Sequence, residues 1–397
     1  MKAGWKKKSL GDLCEVVGGG TPPKDNLAYY SGDIPWATVR DMRQEVITET
    51  ECQITRAAVQ SSATNVIPTG NVVIATRVGL GKVCLLGQDT AINQDLRGII
   101  PRDHNALSVR FLFWWLKSIA DIIIAEGTGA TVQGVKLPFV KSLQVPIPPL
   151  TEQHRIVTIL DEAFDGIVTA KANAEKNLQN ARALFESHLQ SVFTARGEGW
   201  VEKRIEEWCA SIMDCVNKTA RVVEGPTPFK MIRTTNVRNG RVDVSTVRFV
   251  TEEIYKVWTR RQIPQKGDVI LTREAPMGEV GMLVTDDKVF LGQRLVSYRA
   301  NPNILDNHFL LLALQSGDLQ GQIHAKASGS TVQHMRVPDT KSLLLAAPPL
   351  QLQREIVAKL EYLREETQRL ESLYQQKLTA LDGLKKSLLH QAFSEKL

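Results

Sequence analysis

No stretch of this chain approaches the roughly 18 to 20 consecutive apolar residues that a membrane-spanning helix requires. The opening Met1-Lys2-Ala3-Gly4-Trp5-Lys6-Lys7-Lys8 is charged, with no apolar leader core behind it, so a cytoplasmic location is expected. Cysteine is scarce: Cys14, Cys52, Cys84, Cys209 and Cys215 are odd in number, scattered, and form no C-x-x-C pair. That usage argues against a disulfide framework or a zinc ribbon and reads as reduced, structural thiols. The seven histidines lack H-x-x-x-H and H-E-x-x-H spacing.

Phosphate-binding and catalytic motifs are missing as well. Gly18-Gly19-Gly20-Thr21-Pro22-Pro23 has the glycines but not the Gly-Lys-[Ser/Thr] ending of a phosphate loop, and its prolines remove amides such a loop must donate. It reads as a mobile turn. Gly81-Lys82 is followed by Val83 and has no glycine five residues ahead. None of the three Pro-Pro pairs carries the preceding Asn or Asp and following aromatic ring of an adenine methyltransferase. Pro338-Asp339-Thr340-Lys341 has a fragment of a nuclease pattern, but the related Pro138-Phe139-Val140-Lys141 has no carboxylate, so a strand-entry turn is expected. No catalytic centre and no cofactor site is expected on this chain.

What is there is a repeat. Thr131-Val132-Gln133 returns as Thr331-Val332-Gln333, Pro138 as Pro338, Lys141-Ser142-Leu143 as Lys341-Ser342-Leu343, and Pro148-Pro149-Leu150 as Pro348-Pro349-Leu350. The register continues without a gap through Gln153 and Gln353, Ile156-Val157 and Ile356-Val357, Leu160 and Leu360, to Phe193 and Phe393. Before residue 131 it drifts: Ile67-Pro68 matches Ile263-Pro264 at an offset of 196. Two copies of one unit in one polypeptide imply a pseudo-twofold object.

The 397 residues suffice for two or three domains, and 43% hydrophobic with 23% charged residues is ordinary for a globular protein. The net charge of +6 is unevenly placed. Residues 150 to 195 hold four Lys or Arg against six Asp or Glu, and residues 349 to 397 hold eight against seven, so the basic excess lies in the remaining parts. A basic excess is the electrostatic footprint of nucleic-acid binding, although bland proteins carry one too.

Each copy begins with a mixed, strand-rich part. Ile34–Val39 and Asn71–Thr76, and in the second copy Phe229–Thr235 and Asp268–Arg273, are short runs of strand character, with short apolar helices expected at Phe111–Lys117 and Phe309–Gln315. After Pro-Pro the period changes. Ile156, Leu160, Ala163, Ile167, Ala170, Ala174, Leu178, Ala181, Phe185, His188 and Val192 step by fours and threes, as do Ile356, Leu360, Leu363, Thr367, Leu370, Tyr374, Leu378, Leu381, Leu384 and Leu388. This predicts an α+β protein of four segments: a globular domain over 1–149, a long helix over 150–196, a second domain over 197–348 and a second helix over 349–397. Helices of about 40 residues span about 60 Å, and the narrow stripe on each suits an antiparallel coiled coil between the copies. Packing of each helix on its own domain is the competing reading, which the length of the seam disfavours.

The sequence resembles the specificity subunits of type I restriction-modification systems over essentially its whole length. The resemblance is carried by Gly18-Gly19-Gly20-Thr21-Pro22 with Gly32-Asp33-Ile34-Pro35-Trp36 downstream, by Gly129-Ala130-Thr131-Val132-Gln133, and by Pro146-Ile147-Pro148-Pro149-Leu150-Thr151-Glu152-Gln153 opening a long helix. The second copy lacks the glycine-threonine-proline start and has Leu352 where Glu152 stands. Membership implies two target-recognition domains, each reading half of a split, asymmetric site in double-stranded DNA, and helices that set the gap. It also implies two copies of a modification subunit and restriction subunits as partners, with S-adenosylmethionine and ATP bound by those partners and not by this chain. A coiled-coil scaffold that joins proteins without reading DNA is the alternative.

Base reading in a major groove calls for Arg, Lys, Asn or Gln held on loops of a rigid sheet. The candidates in the first copy are Trp36, Thr38, Arg40, Arg77, Asn93, Gln94, Thr131 and Gln133. The parallel set is Arg233, Thr235, Asn236, Arg238, Arg273, Gln293, Arg294, Thr331 and Gln333. For each arginine a solvated charge or surface ion pair competes, and for Trp36 a place in the core. The turn kept in both copies competes as a purely structural element, because readers of different sequences should differ.

Overall fold

The computed structural model describes residues 5–128, 134–329 and 333–394. Long helices run over Leu150–Ala195 and Leu350–Phe393, each entered through a Pro-Pro pair that disfavours helix before it and is compatible with helix after it. The chain divides into two compact units, Met1–Glu175 with Gln376–Leu397, and Lys176–Gln375. Compactness therefore does not follow the four linear segments, because each long helix gives one half to each unit.

In the first unit a five-stranded sheet has the order Cys14–Gly18, Leu96–Pro101, Val72–Ala75, Val83–Leu86, Val46–Ile47. A four-stranded sheet has the order Cys52–Ile54, Ile34–Ala37, Thr90–Ile92, Asn65–Ile67. The central strand is buried along its whole length, and its period of two feeds two cores. Val72 and Ile74 join the helix Val109–Ser118 and its Phe111, Phe113 and Trp114, while Val73 and Ala75 join Ile67, Leu86 and Ile92. The second unit uses the same device. Val269 and Leu271 face a helical core with Phe309, while Ile270 faces Ile232, Val289 and Leu295. Its sheets have six strands, Cys209–Asp214, Leu295–Ala300, Val269–Arg273, Met277–Met282, Gly240–Val242, Val237–Arg238, and three, Arg248–Phe249, Phe229–Ile232, Lys288–Leu291.

Among the described residues, Gln153, Gln353, Leu143 and Leu343 of the repeat prove to be fasteners. Gln153 is fully buried; its Oε1 accepts from the Ser108 amide at 2.9 Å, and its Nε2 donates to the Ala106 and Pro148 carbonyls at 2.9 and 3.0 Å. Gln353, equally buried, accepts from the Asp306 amide at 2.8 Å and donates to the Ile304 and Pro348 carbonyls at 2.9 and 2.8 Å. Leu143 and Leu343 accept from the amides of Leu10 and Ile205 at 2.8 and 2.7 Å. Antiparallel ribbons pair Lys6–Ser9 with Gln144–Ile147 and Val201–Arg204 with Leu344–Ala347.

Within each unit the two helical segments run antiparallel. In the first, Lys385 lies over the Phe164 ring at 4.9 Å and Lys171 pairs with Asp382 at 2.7 Å; in the second, Arg364 lies over Phe185 at 4.7 Å and Arg182 pairs with Glu371 at 3.1 Å. The seam differs from the expected one at its ends. His188 and Leu384 are exposed, while Phe164, Leu189, Phe193, Leu389 and Ala392 are buried. A straight helix drifts about 20° per heptad from a strict seam, and here its ends meet sheet and short helix as well as helix. Each helix end is accordingly also part of a domain core: Ile156, Leu160, Leu389 and Ala392 pack with Phe111 and Trp114. An anchor peculiar to the first unit reinforces this. Asp161 accepts from Arg110 Nε at 3.1 and 3.2 Å and from Trp114 Nε1 at 2.7 Å.

Candidate nucleic-acid interface

The glycine-rich segment of the first unit is a packed crossing and not a mobile turn. A Cβ at Gly19 would stand 2.1 Å from the Asn93 carbonyl oxygen, and one at Gly20 would stand 2.5 Å from the Ala63 carbonyl carbon, so only glycine fits. Gly20 donates its amide to the Ile92 carbonyl at 3.0 Å and accepts at its own carbonyl from Trp36 Nε1 at 3.2 Å and Thr64 Oγ1 at 2.8 Å. This crossing delivers Thr21 to the Gln94 side chain, where its hydroxyl donates to Gln94 Oε1. Around them lies an open cleft of about 370 Å³, lined by Thr21, Lys24, Trp36, Thr38, Arg40 and Gln94 among others.

The cleft sorts the candidates by what remains available. Trp36 is buried with its indole N–H already donated, so it forms the wall. Asn93 is buried; its Oδ1 accepts from the Asp95 amide at 3.1 Å and its Nδ2 donates to Asp95 Oδ2 at 3.1 Å, which commits it to the turn and not to a base edge. Thr38 Oγ1 donates to Asp41 at 3.0 Å and accepts from the Arg40 amide at 3.2 Å. Arg40 and Lys24 are exposed at the rim, and Gln94 is half-buried. Arg77 is 47% exposed and pairs at 3.6 Å with Asp95, whose side chain is only 16% exposed. Arg97, absent from the expected set, donates to the carbonyls of Gln94 and Leu96 at 3.1 and 2.8 Å. Burial, and then the neighbouring Arg77, lower its pKa below the usual guanidinium value.

The second unit repeats the architecture with other residues. Thr219 Oγ1 donates to Gln293 Oε1 at 3.4 Å, as Thr21 does to Gln94. Gln293 and Arg294 are exposed, and Arg294 adopts a φ of 71°, left-handed backbone that a non-glycine residue occupies at a cost. Arg294 is 51% exposed and pairs at 3.2 Å with Glu274, which is 22% exposed. Asn236 is buried, accepting from the Arg233 amide at 2.9 Å and donating to Thr246 Oγ1 at 3.0 Å, so it is a turn fastener and not a reader. Arg238 donates to the Thr234 and Val237 carbonyls at 3.0 and 2.5 Å, and Arg273 to the Met335 carbonyl at 2.9 Å. Arg233 and Arg273 are half-buried, each with its Nε lacking a partner among the described residues. Thr235 and Gln333 are exposed. Thr131, Gln133 and Thr331 lie outside the described residues.

Backbone hydrogen bonds align the corresponding loops of the two units. The Thr76 amide donates to the Asp95 carbonyl at 2.8 Å and the Thr76 carbonyl accepts from Val135 at 2.9 Å. Arg273 makes the same pair of bonds with the Arg294 carbonyl at 2.8 Å and the Met335 amide at 2.9 Å. Position 76 therefore corresponds to 273, 77 to 274 and 95 to 294. Arg77 pairs with Asp95 in one unit and Glu274 with Arg294 in the other: the same ion pair with its ends exchanged. In the linear order of candidates Arg77 and Arg273 take parallel places after their strands; the hydrogen bonds instead give an offset of 197 there and of 199 beside the facing strand.

Among the described residues no helix is long and apolar enough to cross a membrane. A family model described as "Type I restriction modification DNA specificity domain" matches residues 2–179 and again 197–380. The chain is 33% identical over 170 residues to the EcoR124I/EcoR124II type I restriction enzyme specificity subunit of Escherichia coli, a match covering 41% of each chain. It is 22% identical over 366 residues to the MjaIX specificity subunit of Methanocaldococcus jannaschii, covering 87% of this chain and 83% of that one. Among solved structures, a chain from a type I R-M system aligns with a TM-score of 0.77 at 18% identity, covering 100% of this chain and 99% of that one. The HsdS subunit from Thermoanaerobacter tengcongensis aligns with a TM-score of 0.67 at 18% identity, covering 100% and 98%.

Proposed function

Because the chain belongs to the type I restriction modification DNA specificity family, we propose that its two units each read one half of a bipartite, asymmetric DNA site. It is a specificity subunit and not itself an enzyme. The observation that carries the asymmetry is the exchanged ion pair. In each unit a largely buried carboxylate stands beside a half-exposed arginine. An arginine biased in direction by a neighbouring carboxylate keeps free donors for bidentate pairing with guanine O6 and N7. Anchoring also reduces the side-chain entropy lost on contact and opposes indiscriminate phosphate binding by partial neutralisation. In the first unit the guanidinium leaves from position 77; in the second it leaves from position 294, on the facing strand. Two units of one architecture thereby present different donor patterns, and a non-palindromic site follows. Gln94 and Gln293, each steadied at Oε1 by a threonine, retain an amide group suited to adenine.

The long helices act in this reading as an antiparallel coiled coil of pseudo-twofold symmetry that sets the gap between half-sites and docks two copies of a modification subunit. Restriction subunits join that assembly, S-adenosylmethionine and ATP reside on the partners, and the whole works in the cytoplasm. Co-expression with its modification subunit followed by genome-wide mapping of methylated adenines should return one split, asymmetric motif. Arg77→Ala should weaken binding to that motif about 10- to 100-fold and to random DNA much less. Equal loss on both would make Arg77 a phosphate contact, and a wild-type chain with neither sequence preference nor steep salt dependence would favour a protein scaffold.

A further inference from the structure

The contacts between the helical segments are not symmetric in chemistry, although they are symmetric in position. Phe164, Lys171, Arg182 and Phe185 of the first helix stand 200 residues before Arg364, Glu371, Asp382 and Lys385 of the second. At the two ion pairs the first helix supplies both cations, Lys171 and Arg182, and the second both acids, Asp382 and Glu371. At the two cation–ring contacts the first helix supplies both rings, Phe164 and Phe185, and the second both cations, Lys385 and Arg364. The apolar seam makes no such distinction, since Ile156, Leu160, Leu178, Leu189 and Phe193 recur as Ile356, Leu360, Leu378, Leu389 and Phe393.

We propose that these four contacts form a polarity lock: the first long helix accepts the second, and each rejects a second copy of itself. In the observed register, two first helices would oppose Lys171 to Arg182, twice over. Two second helices would oppose Glu371 to Asp382 and Arg364 to Lys385, again twice each, so that all of their contacts would be repulsive; in two first helices the ion pairs turn repulsive, while Phe164 would meet Phe185 and both cation–ring contacts would be lost. Arg364 and Lys385 are 20% and 34% exposed, and partly desolvated like charges repel more than solvated ones. Exposed ion pairs add little to stability, but like-charge juxtaposition discriminates strongly between partners. The partner chemistry is therefore the other half of this chain, and a chain reduced to one half finds no match in itself. This inference rests on the helices alone and stands whether or not the clefts read DNA.

The test begins with the full-length protein, cleaved after folding at a protease site inserted in the exposed Gly197-Glu198-Gly199 segment. Two such preparations with tags of different mass are mixed, unfolded in urea, refolded and weighed by native mass spectrometry. First-half with second-half pairs are expected, with homotypic pairs at least about tenfold below their statistical share. Exchanging one ion pair, Lys171→Asp with Asp382→Lys, keeps the native contact but makes both homotypic ion pairs attractive, and pairs of first halves should rise towards the statistical share. Homotypic pairs at that share in the wild type, or none in the exchanged variant, would overturn the lock. A measurement free of refolding uses the intact chain. Glu371→Lys with Asp382→Lys should lower the melting temperature, and adding Lys171→Glu with Arg182→Glu should restore it; absence of either change counts against the proposal.

Discussion

Gln153 and Gln353 make the same three hydrogen bonds in the two units, whereas Arg77–Asp95 and Glu274–Arg294 make the same ion pair with its ends exchanged. The glutamines join a helix start to the loop ahead of a short apolar helix, and their partners are backbone groups, whose positions any sequence with this fold must provide. A buried side chain that satisfies three backbone groups at once, one donor and two acceptors, has no substitute of the same length and polarity. The ion pairs face outward from loops, and their partners are side chains, so either order satisfies the fold. Identity is thus retained where the protein meets its own backbone and released where it meets something else.

Three measurements would break or sharpen that comparison. The largest effect is expected from Gln153→Ala and Gln353→Ala, which each leave one amide and two carbonyls without their side-chain partner and should cost about 2–4 kcal/mol in denaturant unfolding. Similar losses in both units are expected; a negligible loss in one would mean that the shared bonds are not shared energetically. Next comes the anchor that, among the described residues, the first unit has and the second lacks. Asp161→Ala removes acceptors from Arg110 and Trp114 and should cost about 1–2 kcal/mol, discounted for the half-exposure of the ion pair. Its repeat partner Glu361 pairs with Arg364, three residues on at 3.3 Å, and Glu361→Ala should cost less than about 0.5 kcal/mol. The smallest effect is chemical. Burial pushes Cys14 and Cys209 up to about 12 and Cys84 to about 11, Cys215 is buried, and Cys52 in the first unit is exposed. Brief alkylation of the folded protein near pH 8 should therefore add one adduct, at Cys52, seen by intact mass and peptide mapping, with none in the second unit.

Legibility differed by element. The helix starts at Leu150 and Leu350 were readable because proline chemistry and a change of period coincide there. The apolar strands around Val72–Ala75 and Val269–Arg273 were readable from their β-branched runs, but not that alternate residues supply two separate cores. The glycine run was misread as a turn, because the feature requiring glycine is the backbone of residues 63 and 92–93, far along the chain. Trp36, Asn93 and Asn236 have the chemistry of readers, and burial removes them from that role. Arg97, Asp95 and Glu274 escaped notice because a carboxylate holding an arginine leaves no local pattern.

The sequence by itself determined that the chain is a duplication with a rigidly kept helical register, since periodicity and offset are properties of one-dimensional order. Which arginine faces outward, and which carboxylate holds it, was decided only by the tertiary structure. The strand ends beside positions 77 and 95, or 274 and 294, are brought together by backbone hydrogen bonds between segments about twenty residues apart, and the differing offsets of 197 and 199 hide that correspondence from the linear text.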